Sequence, residues 1–110
     1  VIVSNHGGRQ LDGSSSSFDQ LSKIVDAVGD KVDVICEGGI QRGTHVLKAL
    51  SIGAKACAGG RLYLYALASA GQKGVERALD LLKNEIERDM KLMGCKSIDQ
   101  LQRTNLLFRN

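Results

Sequence analysis

The chain has 110 residues, 43% of them apolar and 25% charged, with a net charge of +3. That is enough for one modest domain with a buried core and an ordinary polar surface. Charge of both signs is spread along the chain, and the densest stretch, Lys83 to Lys91, interleaves acids with bases. With only two tyrosines, two phenylalanines and no tryptophan, there is neither a basic patch nor a stacking platform, which excludes nucleic acid as a partner. The longest apolar-rich run, Leu62–Ala70, falls well short of the ~20 residues that span a bilayer. Cys36, Cys57 and Cys95 are odd in number and match no metal-ligand spacing, so no metal is expected. The first two sit in apolar runs and read as buried thiols of a reducing compartment, which points to the cytoplasm, with attachment at a membrane periphery left open.

In chain order, Val1–Val3 reads as a short strand that ends in the polar loop Ser4-Asn5-His6-Gly7-Gly8-Arg9-Gln10-Leu11-Asp12. After a linker to Ser16, Ser17 and Gln20 form a capping box for a helix to about Val28. Leu21, Ile24, Val25 and Val28 share one face of it. Gly29-Asp30 turns the chain into a second strand, Val32–Cys36, followed by Glu37-Gly38-Gly39-Ile40-Gln41-Arg42-Gly43. A helix from about Arg42 to Ile52 turns Val46, Leu47, Leu50 and Ile52 inward and stops at Gly53. The third strand, Ala54–Ala58, gives way to Gly59-Gly60-Arg61. A short helix near Leu62–Ala70 precedes a long one, about Lys73–Met93, whose inward stripe is Val75, Ala78/Leu79, Leu82, Ile86, Met90 and Met93. Gly94 closes it, Ser97 caps a last turn over Ile98–Gln102, and the tail to Asn110 is weakly patterned.

Strands alternating with helices predict an α/β fold with parallel pairing through crossover helices. Parallel strands are buried on both faces, which accounts for their Val, Ile, Ala and Cys content. Three βα units cannot close a barrel, and as an open sheet they leave raw edges. The chain also opens inside a strand. It is therefore expected to be the C-terminal piece of a larger domain.

All three glycine-bearing clusters fall just after a strand, where parallel α/β folds bind ligands. In the first, His6 stands three positions before Arg9 with Gly7 and Gly8 between them. Imidazole is the side chain best suited to accept a proton near neutral pH, and guanidinium clamps a carboxylate through paired hydrogen bonds. The second and third clusters, Gly38-Gly39 and Gly60-Arg61, each open a helix and present backbone N–H groups to an anion. A glycine pair alone signals no more than a tight turn, but two in successive units after a His/Arg loop point to a phosphate-bearing cofactor. His45 reads as exposed helix surface, and Arg42 as solvent-facing rather than a phosphate contact.

Ser4 to Asp12, followed by Glu37 to Thr44 and Gly60-Arg61, resembles the C-terminal part of the FMN-dependent α-hydroxy acid oxidases and dehydrogenases. The likeness runs down to Gly94-Cys95-Lys96-Ser97-Ile98 and thus covers nearly the whole chain. It implies the last three βα units of a (β/α)8 TIM barrel, with residues 1–110 forming the C-terminal part of a single FMN-binding domain. It further implies that His6 is the catalytic base and that Arg9 binds the substrate carboxylate. Ser4, Glu37, Gly38, Gly39, Gln41, Gly60 and Arg61 match cofactor-binding positions. The implied reaction is oxidation of a small L-2-hydroxy acid, lactate or glycolate, to the 2-oxo acid. Oxygen, a quinone or a cytochrome would take the electrons, and the whole protein is expected to be a homo-oligomer. The family's substrate-binding tyrosines, its flavin-side lysine and the aspartate that orients the histidine would precede Val1, so the activity belongs to the parent protein.

Three positions depart from the family pattern. Glu37 stands where the family usually has Asp, Gln41 where it has Arg, and Leu62 where it has Pro. Gln41 removes a full charge from the phosphate loop while keeping a neutral donor worth ~0.5–1.5 kcal/mol, so weaker FMN retention is expected. The alternatives are a non-catalytic βα module that binds a phosphate-bearing ligand, or a related FMN barrel with other chemistry, such as a mycofactocin-type maturase or a type 2 isopentenyl diphosphate isomerase.

Overall fold

A computed structural model describes residues 1–108, so Arg109 and Asn110 of the expected tail lie outside the described residues. Three short parallel strands form one sheet in sequence order: β1 (Ile2–Val3), β2 (Ile35–Glu37) and β3 (Ala56–Ala58). Ile2 pairs with Ile35, and Cys36 lies between Val3 and Cys57. Between the strands run α1 (Ser17–Val28) and α2 (Gly43–Ile52), and α3 (Arg61–Met93) follows the last one. The expected βα alternation is present, although β2 and β3 begin later than the apolar runs suggest. Val34 and Ala54 precede them as buried core residues just outside the ladders.

The core lies where α1 and α2 cover the sheet. Leu21, Val34, Cys36, Ala49, Ile52 and Ala54 form one buried cluster, with Ile24, Val25 and Val28 packed against it. The helical stripes of α1 and α2 therefore face inward as expected, and burying a side chain the size of Leu21 contributes roughly 1.5–3 kcal/mol. The stripe of α3 is only half realised. Val75, Leu82, Ile86 and Met90 are partly buried, whereas Leu79 and Met93 are exposed. The two expected helices at 62–70 and 73–93 are the two limbs of α3, broken by non-helical angles at Ala70 and Gly71.

The predicted caps are corrected in two places. Ser16, not Ser17, is the N-cap of α1, its hydroxyl accepting the Asp19 N–H at 3.1 Å. Ser17 is instead buried, and its hydroxyl accepts the Asn5 N–H at 3.1 Å. Ser97 stands at the cap position of the Ile98–Gln100 turn without a side-chain bond; the Gln100 side-chain oxygen accepts the Lys96 N–H instead.

Helix α2 is held at both ends by distant segments. At its start, Glu85 of α3 accepts the Gly43 N–H at 2.7 Å and pairs with the Arg42 guanidinium at 2.8 Å. At its end, Arg103 donates to the Ile52 carbonyl at 3.0 Å and to Asp26 of α1 at 2.6 Å. These contacts satisfy helix-terminal groups that have no partner within the helix. They also fix the loop before α2, which is part of the cleft.

Candidate active site

The loop after β1 is built around unusual backbone angles. His6, Gly7 and Gly8 have φ of +55°, +67° and +73°, three consecutive residues in the left-handed region. For residues with a Cβ this conformation costs roughly 1–2 kcal/mol each, which explains the two glycines and leaves His6 as the strained member. Hydrogen bonds hold it there. The Ser4 hydroxyl accepts the His6 N–H at 2.9 Å, and Asn5 Oδ1 accepts the Gly7 N–H at 3.1 Å. Ser17 ties Asn5 to the start of α1. A non-glycine residue kept in such a conformation by surrounding bonds is typical of functional sites.

The loop after β2 contains two glycines with different reasons to be glycine. Gly38 has φ +114°, and a Cβ there would lie 2.9 Å from the Ser17 hydroxyl. Gly39 has φ +72° with open space around its missing side chain. Between this turn and α2, Ile40 is buried and anchors the loop beneath. Glu37 turns back toward the first loop, where its carboxylate accepts the Ser4 hydroxyl hydrogen. After β3, Gly60 caps α3 with no side-chain bond to the first-turn N–H groups. Arg61 reaches across to the first loop and donates to the Gly7 carbonyl at 3.4 Å.

These three loops enclose one cleft of about 210 Å³. His6, Arg9, Glu37, Gly38, Gly39, Gln41, Gly60 and Arg61 all line it, with the apolar Ile40, Leu62 and Leu64. Eight of the nine sequence-expected site residues are therefore brought together. Ser4 does not line the cleft; its hydroxyl links Glu37 to the His6 backbone. Positive charge comes from Arg9, Arg61 and the N-terminal end of α3, against the single carboxylate of Glu37. The open position at Gly39, which a Cβ would fill, and the start of α3 at Gly60, whose first-turn N–H groups take no side-chain cap, suit a phosphate-bearing group.

Arg42 is solvent-facing as expected, whereas His45 departs from expectation. Arg42 leaves the cleft and forms a two-toothed pair with Glu85, which raises the guanidinium's affinity for its proton. The same bond, with the Gly43 N–H second, holds the Glu85 carboxyl below the usual range. His45 is not plain surface: it is half-buried, and its Nδ1 lies 3.1 Å from the Gly39 oxygen and 3.3 Å from the Gln41 nitrogen. Cys36 is buried and Cys57 half-buried, and all three cysteines are free. Burial first, then Cys36, pushes the Cys57 thiol up to about 12, so it is inert at neutral pH. The parts that Asn5 and Ser17 play in the site were not legible in sequence. An Asn two positions before a glycine is a local signal for the turn that Asn5 makes, whereas Ser17 acts only through tertiary contact.

No helix among the described residues is long and apolar enough to cross a membrane. A profile of the FMN-dependent dehydrogenases matches residues 1–108. The chain is 46% identical over its whole length to a peroxisomal (S)-2-hydroxyacid oxidase of Arabidopsis thaliana, covering 30% of that protein. It is 45% identical to the L-lactate dehydrogenase (cytochrome) of Wickerhamomyces anomalus over 92% of the chain and 18% of that protein. In three dimensions, 99% of it superposes on 31% of the chain of (S)-mandelate dehydrogenase from Pseudomonas putida, in a soluble mutant of that membrane-associated enzyme, with TM-score 0.94 and 41% identity. The chain thus spans less than a third of the length of these relatives, and its sheet and helices are three successive βα units of a (β/α)8 barrel. With its glycine-lined cleft at the strand ends, this chain belongs to the family of FMN-dependent dehydrogenases.

Proposed function

We propose that the full-length protein oxidises a small L-2-hydroxy acid, lactate or glycolate, to the corresponding 2-oxo acid, and that residues 1–110 form the C-terminal part of its one FMN-binding domain. The observation that carries this reading is the convergence of His6 and Arg9 on the cleft lined by Gly38, Gly39, Gly60 and Arg61. When bound, FMN supplies the acceptor for two electrons. The glycine loops and Arg61 would hold its phosphate and ribityl chain, with Glu37 and Gln41 as polar contacts and Ser4 behind them, linking Glu37 to the His6 backbone.

The chain's own residues then divide the work. Arg9 binds the substrate carboxylate, each charge-assisted hydrogen bond contributing about 1.5–3 kcal/mol. His6 takes a proton from the substrate as it is oxidised. The backbone bonds from Ser4 and Asn5 keep its ring-bearing residue in place without rearrangement at the moment of reaction. Gln41 carries no charge, which supports weaker FMN retention than an arginine there would give. Arg42 is engaged by Glu85 on the far side of the loop.

Oxygen, a quinone and a cytochrome are the candidate electron acceptors. Resemblance to the family supports a homo-oligomer, and three free thiols support a reducing compartment such as the cytoplasm. The test is the absorption spectrum of the full-length protein under anaerobic conditions. Bleaching of a bound flavin on addition of L-lactate or glycolate is expected. A colourless protein that cannot be reconstituted with FMN would favour a non-catalytic module, and a flavin indifferent to every 2-hydroxy acid would favour a barrel of other chemistry.

A further inference from the structure

The turn Gly38-Gly39-Ile40-Gln41 has a construction problem that the cleft alone does not solve. Two successive glycines with positive φ are the most mobile backbone a chain can have, and ordering such a turn around a ligand reduces affinity. Below the turn, the Ile40 side chain is buried. Beside it stands the His45 imidazole, reaching back from the first turn of α2 to the Gly39 oxygen at 3.1 Å and the Gln41 nitrogen at 3.3 Å. One ring nitrogen cannot serve both at once. With a hydrogen on Nδ1 it donates to the Gly39 oxygen; without one it accepts the Gln41 N–H.

We propose that His45 is a positioning residue for this turn: its Nδ1, seated between the Gly39 oxygen and the Gln41 N–H, bonds the turn's backbone and fixes the two glycines. The proposal rests on the reading of this turn as the phosphate-holding element of the FMN site. His45 itself does not line the cleft, so it acts through the backbone and not by touching the cofactor. The location is also mechanically suitable. His45 sits on the end of α2 that Glu85 and Arg42 clamp, so the ring is mounted on a fixed support and braces the mobile side of the loop.

Riboflavin, which has the same ring and ribityl chain as FMN but no phosphate, separates this role from a general loss of structure. The apo form of the full-length flavoprotein, with His45 intact or changed to Ala or Asn, is titrated with FMN and with riboflavin, and both dissociation constants are read by flavin fluorescence. Loss of one hydrogen bond at the turn should weaken FMN binding about fivefold in His45→Ala and leave riboflavin unchanged. His45→Asn, which keeps a short side chain with both a donor and an acceptor for the same backbone groups, should recover most of the difference. Equal weakening of both ligands by His45→Ala, or no change in either, overturns the proposal. If the unaltered protein itself fails to prefer FMN to riboflavin, the phosphate-site reading of the turn falls and takes the proposal with it. If that preference is present and survives in His45→Ala, only the role of His45 falls.

Discussion

Gly39, in the connection between β2 and α2, and Gly43, at its far end as the first residue of α2, are glycines for opposite reasons. Around Gly39 there is open space and a left-handed backbone; a side chain would intrude on the cleft. Around Gly43 there is none, since a Cβ would lie 2.6 Å from Glu85 Cβ and 2.7 Å from the Ile86 nitrogen. Arg42 marks the boundary, turned from the cleft side toward Glu85. The upstream half of the connection is left empty for a ligand, and the downstream half is packed so that the empty half keeps its shape. A glycine count cannot distinguish the two, but their neighbours can.

The largest expected effects come from filling these two positions. Gly43→Ala overpacks the junction of α2 and α3 and should destabilise the protein by about 1–3 kcal/mol, with a smaller rise in the FMN dissociation constant of the folded fraction than Gly39→Ala gives. Gly39→Ala should do the reverse. Its stability loss is confined to the left-handed backbone, about 1 kcal/mol, but the FMN dissociation constant rises roughly tenfold. Thermal melts and flavin titrations on both variants decide the matter, and similar profiles for the two would break the distinction.

A smaller effect sharpens the packed half. Glu85 is held below its ordinary titration range by Arg42 and then by the Gly43 N–H. Its contribution is therefore present above the unfolded-state value and lost as pH falls through the lowered folded value. Melting temperature should fall on acidification below about pH 5 more steeply in the unaltered protein than in Glu85→Gln. Identical acid limbs for the two would show that this pair does not stabilise the junction.

The order of elements and the glycine-bearing loops of the cleft were legible because they rest on local signals, namely helical periodicity, strand composition and glycines placed after strands, whereas Glu37 and Gln41 came only with the family resemblance. His6 and Arg9 were legible for the same reason, since one loop carries both. What sequence did not disclose lies in contacts between residues far apart in the chain. Glu85 looks like one more charge on a solvated helix face until α3 folds back over the start of α2. Ser17 looks like a helix cap, but Ser16 takes that bond and Ser17 is drawn under the His6 loop. His45 has polar neighbours in sequence, and only the return of the chain from Gly39 gives its ring a backbone partner. Exposed Leu79 and Met93 show that a regular apolar stripe on a long helix need not be covered along its whole length by this chain.

In the proposed function, the strained histidine of the first loop handles a substrate proton in a cleft whose glycine loops hold the flavin. The most direct test is the rate of anaerobic flavin reduction by L-lactate or glycolate in the full-length protein carrying His6→Gln, with flavin content measured on the same sample. Full FMN occupancy is expected, with a rate lowered by roughly 10²–10⁴, the range for loss of a general base. A variant that keeps both its flavin and its rate would contradict that role.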